Sequence, residues 1–347
     1  MKKKIPTFKS DEEAEAFVAS ADLTDYDLSG AKLGTGEGRG TSPEFSSERV
    51  GLAAWLKALR VYQWVKNLLI FVPLLTSFGF ADFSKVMDAC LAFVAFSFAA
   101  SATYLVNDLS DIENDRAHPR KRKRAFASAL ISIPKGVLVA SALLLGSLAI
   151  AGTLAIKFLV CLVFYIVLAS AYSWVLKTYV IIDVLTLSAL YTLRILAGSQ
   201  AIGVETSSWL LTFSLFLFFS LAIVKRCTEL VSERESGQSA TRGRGYRGSD
   251  LTVLWPLGVC SSLSSVVIFG LYINSVETQS RYGFPSLLWL VDVGLIYWVA
   301  RLWIKTSRGE MSDDPIVFTL RDFSSRVTVS CMVAVTIIAY FILLPER

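Results

Sequence analysis

The chain has 347 residues, 54% of them apolar, with a formal net charge of +5 and a mean hydropathy of +0.54. That apolar share excludes an ordinary soluble globular protein and indicates a polytopic membrane protein. The single histidine excludes a His-based zinc centre, and the five cysteines, with no C-x-x-C pair, read as small packing residues.

Residues 1–50 differ from the rest. They are polar, acidic at Asp11, Glu12, Glu13 and Glu15, and rich in Gly and Ser from Gly34 to Ser47. Met1-Lys-Lys-Lys has no apolar stretch behind it, which excludes a secretory signal peptide. Ser10-Asp-Glu-Glu has capping-box character for one short amphipathic helix carrying Ala14, Phe17 and Val18. A poorly ordered leader is expected over 1–50, and one transmembrane domain over 51–347.

Apolar segments long enough to cross a bilayer follow at 64–80, 86–107, 136–155, 157–175, 181–202, 209–225, 252–273, 286–304 and 327–344, about nine helices. The fold class is therefore an all-α membrane bundle. Alternate loops hold the cations: Arg116 to Lys135, Lys177, Lys225 to Arg247, and Arg301 to Arg326. The opposite loops hold only Lys85, Lys157 and Arg281. The positive-inside rule makes the richer side cytoplasmic. With no soluble basic domain, this charge suits anionic lipid and phosphate substrates, and no nucleic acid is expected.

The second segment ends in Asn107-Asp-Leu-Ser-Asp-Ile-Glu-Asn-Asp-Arg-Ala-His-Pro-Arg-Lys-Arg-Lys-Arg124. Asn107, Asp111 and Asp115 recur every four residues and share one helix face, with Asp108 beside them. Carboxylates clustered where a helix leaves the bilayer are costly unless they bind cations. Oxygen ligands without His or Cys suit Mg²⁺, which bridges carboxylates to substrate phosphates. Arg116, Lys121, Arg122 and Arg124 can then hold the remaining phosphate oxygens. The plainer alternative is a solvated helix end and a positive-inside loop. His118 either touches a phosphate or caps the turn before Pro119.

Upstream, Arg60, Gln63 and Asn67 are spaced as one helix face, and Lys66 enters the bilayer, where it must snorkel or pair. The alternative is an interfacial anchor with Trp64 in the aromatic belt. Downstream, Tyr172 and Lys177 stand at a span end. Asp183 and Arg194 are isolated in apolar sequence, either as an ion pair or as part of a site wall. Lys225, Arg226 and Glu229 extend the ring of polar groups. The loop with Arg242-Gly-Arg-Gly-Tyr-Arg-Gly grips phosphate or is simply a positive-inside loop.

Asn107-Asp-x-x-Asp-x-x-x-Asp115 resembles the first aspartate motif of the UbiA superfamily of intramembrane prenyltransferases. Gln63-Trp-x-Lys-Asn, His118-Pro-Arg-Lys-Arg, Tyr172 with Lys177, Leu193-Arg-Ile-Leu-Ala-Gly198 and Asp313-Asp-Pro resemble the branch of decaprenyl-phosphate phosphoribosyltransferases, the membrane half of HAD–UbiA fusion relatives. The resemblance covers roughly residues 52–345. It implies a UbiA-like bundle with cytoplasmic cap loops in a bacterial inner membrane. It also implies Mg²⁺ on Asn107, Asp108, Asp111 and Asp115. The catalytic set it implies is Asp108, Asp111, Asp115 and Lys177. Substrate-binding residues would be Arg60, Lys66, Asn67, Arg116, Lys121, Arg122, Arg124, Tyr172, Asp183, Arg194, Lys225 and Arg226.

The implied reaction moves phosphoribose from phosphoribosyl pyrophosphate, a pyrophosphate-bearing donor, to a polyprenyl phosphate lipid. Its tail is expected along Phe- and Leu-rich spans such as 209–219. The alternative is a prenyl diphosphate donor with an aromatic or other polar acceptor. A non-catalytic transporter or lipid-binding protein would not need a metal-chelating face. Tyr172 and Lys177 stand five apart, where the branch more often has four. Five positions turn a helix by roughly 140°, so Lys177 is expected to reach back from a helix end. Residues 1–30 separately resemble the N-terminus of CopG-type antitoxins, though without an evident DNA-binding ribbon.

Overall fold

A computed structural model describes residues 51–117, 121–236, 244–311 and 314–342. The readings of the 1–50 leader, His118, Arg242 and Asp313 lie outside the described residues. The described chain opens with α1 (Leu52–Ala58). A 3-10 helix, Val61–Phe71, then runs into α2 (Val72–Thr76). Next come α3 (Phe83–Ser110), α4 (Ile112–Ala117), α5 (Ile133–Gly152) and α6 (Ile156–Trp174). The second half holds α7 (Ile182–Ala201), α8 (Ser208–Ser236), α9 (Leu251–Ile273) and α10 (Val276–Arg281). It closes with α11 (Leu288–Ser307), α12 (Pro315–Arg321) and α13 (Phe323–Phe341).

Among the described residues, eight helices are long and apolar enough to cross a membrane, and Val61–Thr76 is a shorter apolar element. This agrees with the expectation of about nine spans. The first expected span departs from a regular α-helix for a physical reason. It carries Lys66 and Asn67 inside an apolar run, and Pro73 starts a new helix at α2. An eleven-residue 3-10 stretch is long for that geometry, and the tertiary contacts of its polar side chains hold it.

Two apolar cores share α7. One joins Ala92, Phe96, Phe158, Leu162 and Ala197 from α3, α6 and α7. The other joins Val184, Ile223, Leu254, Leu302 and Trp303 from α7, α8, α9 and α11. Burial of Ala92, Ala95, Ala99 and Ala102 along α3 lets its neighbours pack closely, where helix association in lipid depends on contact rather than on water exclusion. Gly198 of α7 meets the 3-10 segment backbone to backbone. A Cβ there would lie 2.2 Å from the Ile70 carbonyl oxygen. Only glycine permits that approach, and it fixes the segment that bears Lys66 and Asn67.

Candidate active site

The aspartate motif spans a helix junction. Helix α3 stops at Ser110, Asp111 caps it at φ −99°, ψ 10°, and α4 resumes at Ile112. The register survives: the Asp111 amide donates to the Asn107 carbonyl (3.1 Å), and the Asp115 amide donates to that of Asp111 (2.8 Å). Asp108 Oδ1 accepts from Arg60 Nη2 at 2.7 Å and from Arg124 Nη1 at 3.2 Å. Asp115 Oδ2 accepts from the same Arg124 Nη1 at 2.8 Å. Two carboxylates from different helices thus converge on one cationic nitrogen.

Arg60 reaches Asp108 from a left-handed residue, φ 50°, at the start of the 3-10 helix, and lies over the Tyr104 ring at 4.7 Å. Among the described residues no group of three or more His, Cys, Asp or Glu side chains is gathered as a preformed metal cage. The oxygen-only donors nonetheless fit Mg²⁺, which takes one or two carboxylates and completes its shell with water and phosphate. In this structure the Arg124 guanidinium supplies positive charge to Asp108 and Asp115.

Beside this pair lies a cavity of about 360 Å³. Its described lining includes the cations Arg60, Lys66, Lys177, Lys225 and Arg244 and one carboxylate, Asp314. Asn107 and Tyr172 also reach it. Tyr172 and Lys177 share the cavity because α6 stops at Trp174, Val175 breaks the helix, and a 3-10 turn follows at Leu176–Thr178. Lys177 therefore does reach back from a helix end. A smaller space of about 120 Å³ continues from the cavity past Tyr104, Tyr165 and Tyr191 to Arg194.

Several expected binding residues stand behind the wall instead. Asp183 and Arg226 are both fully buried and form an ion pair at 2.5 Å, with the Tyr172 hydroxyl donating to Asp183 at 2.9 Å. An Asp183–Arg194 pair does not form. Eleven residues along one helix separate them by about 16 Å, beyond side-chain reach. Arg194 instead donates to Asn67 Oδ1 (2.9 Å), the Leu190 carbonyl (2.5 Å) and the Tyr165 hydroxyl (3.0 Å). Asn67 in turn donates to Ser97 (3.1 Å). Such fully used polar groups rigidify a low-dielectric interior. Arg116 in the last turn of α4 and Lys121 and Arg122 beyond it are exposed and do not line the cavity.

The cap loop is tied down at two points. The Gly245 amide donates to the Thr178 carbonyl (3.1 Å), and the Tyr246 hydroxyl accepts from the Ile181 amide (3.1 Å). Burial pushes the Tyr246 hydroxyl up to about 12, so it stays neutral. A Cβ on Gly245 would lie 2.9 Å from the Thr178 oxygen. These ties hold Ile181 at φ 67°, a strained region for a β-branched residue. They also bring Arg244 to Glu229, which is shared with Arg226.

Sequence reasoning missed Tyr104 and Tyr191, and it met Asp314 only within the Asp313-Asp-Pro motif, without a role in the site. Tyr104 lies one helical turn before Asn107, a readable signal. Asp314 precedes Pro315, the pattern of an N-cap, and its Oδ1 does accept from the Ile316 (3.1 Å) and Val317 (3.3 Å) amides. Its Oδ2 meets Lys66 Nζ at 2.5 Å. Burial pushes the Asp314 carboxyl up, but the Lys66 and then the Lys225 ammonium outweigh it and hold it below the usual carboxylate range. Tyr191, whose ring centre is 5.8 Å from Lys66 Nζ, carries no sequence signal.

Two apolar grooves flank the bundle. One, about 400 Å³ between α3, α5 and α6, includes Thr103, which also lines the smaller polar space. The other, about 380 Å³, includes Phe213 and Leu217 from the expected 209–219 stretch, and shares no described lining residue with the cationic cavity.

Comparison with known proteins agrees with this fold. Residues 69–312 match the UbiA prenyltransferase family, and residues 3–35 match the CopG antitoxin of type II toxin-antitoxin systems. The chain is 38% identical to the uncharacterized protein y4nM of Sinorhizobium fredii over 83% of its own length and 56% of that relative's. It therefore spans little more than half of that protein. It is 33% identical to nodulation protein NoeC of Azorhizobium caulinodans, covering 81% of this chain and 91% of that one. It is 32% identical to the decaprenyl-phosphate phosphoribosyltransferase of Mycobacterium tuberculosis, covering 78% and 89%. The structure of a UbiA homolog from Archaeoglobus fulgidus bound to GPP and Mg²⁺ superposes with a TM-score of 0.58 at 19% identity, over 83% of this chain and all of that one. At that identity the likeness speaks to the fold.

Proposed function

The chain belongs to the UbiA prenyltransferase family of membrane-embedded transferases, and on that premise we propose that it transfers phosphoribose from phosphoribosyl pyrophosphate to a polyprenyl phosphate. The observation that carries this reading is the charge of the cavity. Five cations and one carboxylate line it among the described residues, next to the Asp108–Asp115 pair. A second aspartate cluster would serve a second metal-bridged diphosphate. A wall of lysine and arginine suits a donor and an acceptor that each bring phosphate.

In this reading Asn107, Asp108, Asp111 and Asp115 would hold Mg²⁺, which would supply positive charge to offset the negative charge of the leaving pyrophosphate. Arg60, Lys177, Lys225 and Arg244 bind phosphate oxygens and hold donor and acceptor in line. The anomeric C1–O bond to pyrophosphate breaks and a C1–O bond to the lipid phosphate forms. The lipid phosphate is already an anion, so no strong general base is needed. The groove between α3, α5 and α6 takes the polyprenyl tail, because Thr103 joins it to the polar space. The site opens to the cytoplasm of a bacterial inner membrane, on the cation-rich side.

The second reading is prenyl transfer from a prenyl diphosphate to an aromatic or other polar acceptor. It draws support from the apolar groove beside the aspartate motif. Purified protein with Mg²⁺, labelled phosphoribosyl pyrophosphate and polyprenyl phosphate separates the two. Label passing into the organic phase is expected. Consumption of a prenyl diphosphate with no sugar transfer would overturn the first reading.

A further inference from the structure

We propose that Asp314 reads the sugar of the donor, its carboxylate accepting a hydroxyl of the ribose. The proposal rests on the phosphoribosyl reading and extends it to a residue that selects the substrate. Asp314 is the one carboxylate among the described lining residues of a cavity otherwise walled by cations. An ionised carboxylate only accepts hydrogen bonds, and so does a phosphate ester's ionised oxygen. Placed beside phosphates alone, Asp314 repels them and gains nothing. A prenyl diphosphate offers it no donor. A ribose offers hydroxyl groups, and carboxylates read ribose hydroxyls in dinucleotide-binding folds in the same way.

The geometry leaves room for one such bond. A carboxylate has about four acceptor positions. Oδ1 is used by the Ile316 and Val317 amides at 3.1 and 3.3 Å, and Oδ2 by Lys66 at 2.5 Å. One position on Oδ2 remains. The group is also held in place: α12 begins beneath it with Pro315, and Lys66 is itself mostly buried beside Tyr191. A carboxylate so fixed is preorganised for a hydroxyl that arrives with its phosphates already on the lysines. The plainer role, a counterion for Lys66 and a cap for α12, uses the same contacts and must be separated by experiment.

The test measures equilibrium binding of two probes to the full chain in detergent with Mg²⁺, namely phosphoribosyl pyrophosphate and inorganic pyrophosphate. Asp314→Asn keeps an oxygen for the helix cap, and retained pyrophosphate binding reports that the site is still folded. Wild type should prefer the ribose-bearing probe. The variant should bind it about ten-fold or more weaker, the size of one charge-assisted hydrogen bond, while binding pyrophosphate as well as wild type or better. Asp314→Ala should show the same pattern with a larger loss. Equal loss of both probes would assign Asp314 to organising the cationic wall, and unchanged preference would leave it a counterion; either overturns the proposal while the phosphoribosyl reading stands. Wild type that binds the two probes equally and turns over a prenyl diphosphate would remove that reading itself.

Discussion

Replacement of Arg226 by methionine probes how the site is supported from behind. Arg226 is fully buried and holds two acids, Asp183 and Glu229. Glu229 keeps Arg244 when Arg226 is lost, so the orphan is Asp183, which retains only the Tyr172 hydroxyl at 2.9 Å. Removing one partner of a buried pair costs about 3–5 kcal/mol. Asp183→Asn is the milder change, because Arg226 keeps Glu229 and the amide oxygen can still accept from Tyr172. The loss is then about 1–3 kcal/mol, that of a charged hydrogen bond. Arg226→Met should therefore unfold at a clearly lower temperature in detergent than Asp183→Asn, read by tryptophan fluorescence. The double variant Asp183→Leu with Arg226→Met should recover much of the stability but not transfer, since Tyr172 and the neighbouring Lys225 lose their frame. An Arg226→Met protein with wild-type unfolding, or one more stable than Asp183→Asn, would refute this account.

Asp115→Ala removes one of the two carboxylates that share Arg124 and should abolish transfer at any Mg²⁺ concentration while the bundle stays folded; full Mg²⁺-dependent turnover would dismiss the metal assignment. Gly198→Ala forces a Cβ to within 2.2 Å of the Ile70 carbonyl oxygen, and the backbone shift should cost about 1–3 kcal/mol, visible as lower yield and earlier unfolding. Lys177→Ala should lower kcat/KM roughly ten- to hundred-fold for a phosphate-bearing substrate with little change in unfolding temperature. The Arg301 fork holds the Asp322 carboxyl down at about 2, with the Ser325 amide assisting. A folded pKa below the unfolded value of about 3.9 contributes stability that is present above that value and lost as pH falls toward 2. Asp322→Asn should flatten the acid slope of stability between about pH 4 and pH 2, and an unchanged slope would assign that slope to other groups.

By itself the sequence determined the environment and the chemistry carried by local pattern. Long apolar runs declared the spans, because a bilayer tolerates few other lengths. The four-residue spacing of Asn107, Asp111 and Asp115 survived a helix break, because the backbone hydrogen bonds kept their register across it. The spacing of Tyr172 and Lys177 already implied a helix end. Only the tertiary structure decided which charges meet. Asp183 looked to Arg194 along its own helix, yet Arg226 on the next helix is nearer in space. Arg116, Lys121 and Arg122 share one basic run with Arg124, but only Arg124 turns inward to Asp108 and Asp115. Lys66 and Asp314 lie far apart in sequence and meet at 2.5 Å. Periodicity reports which face of one helix is apolar, whereas a polar group in a membrane takes whichever partner from another helix the packing brings within hydrogen-bonding distance.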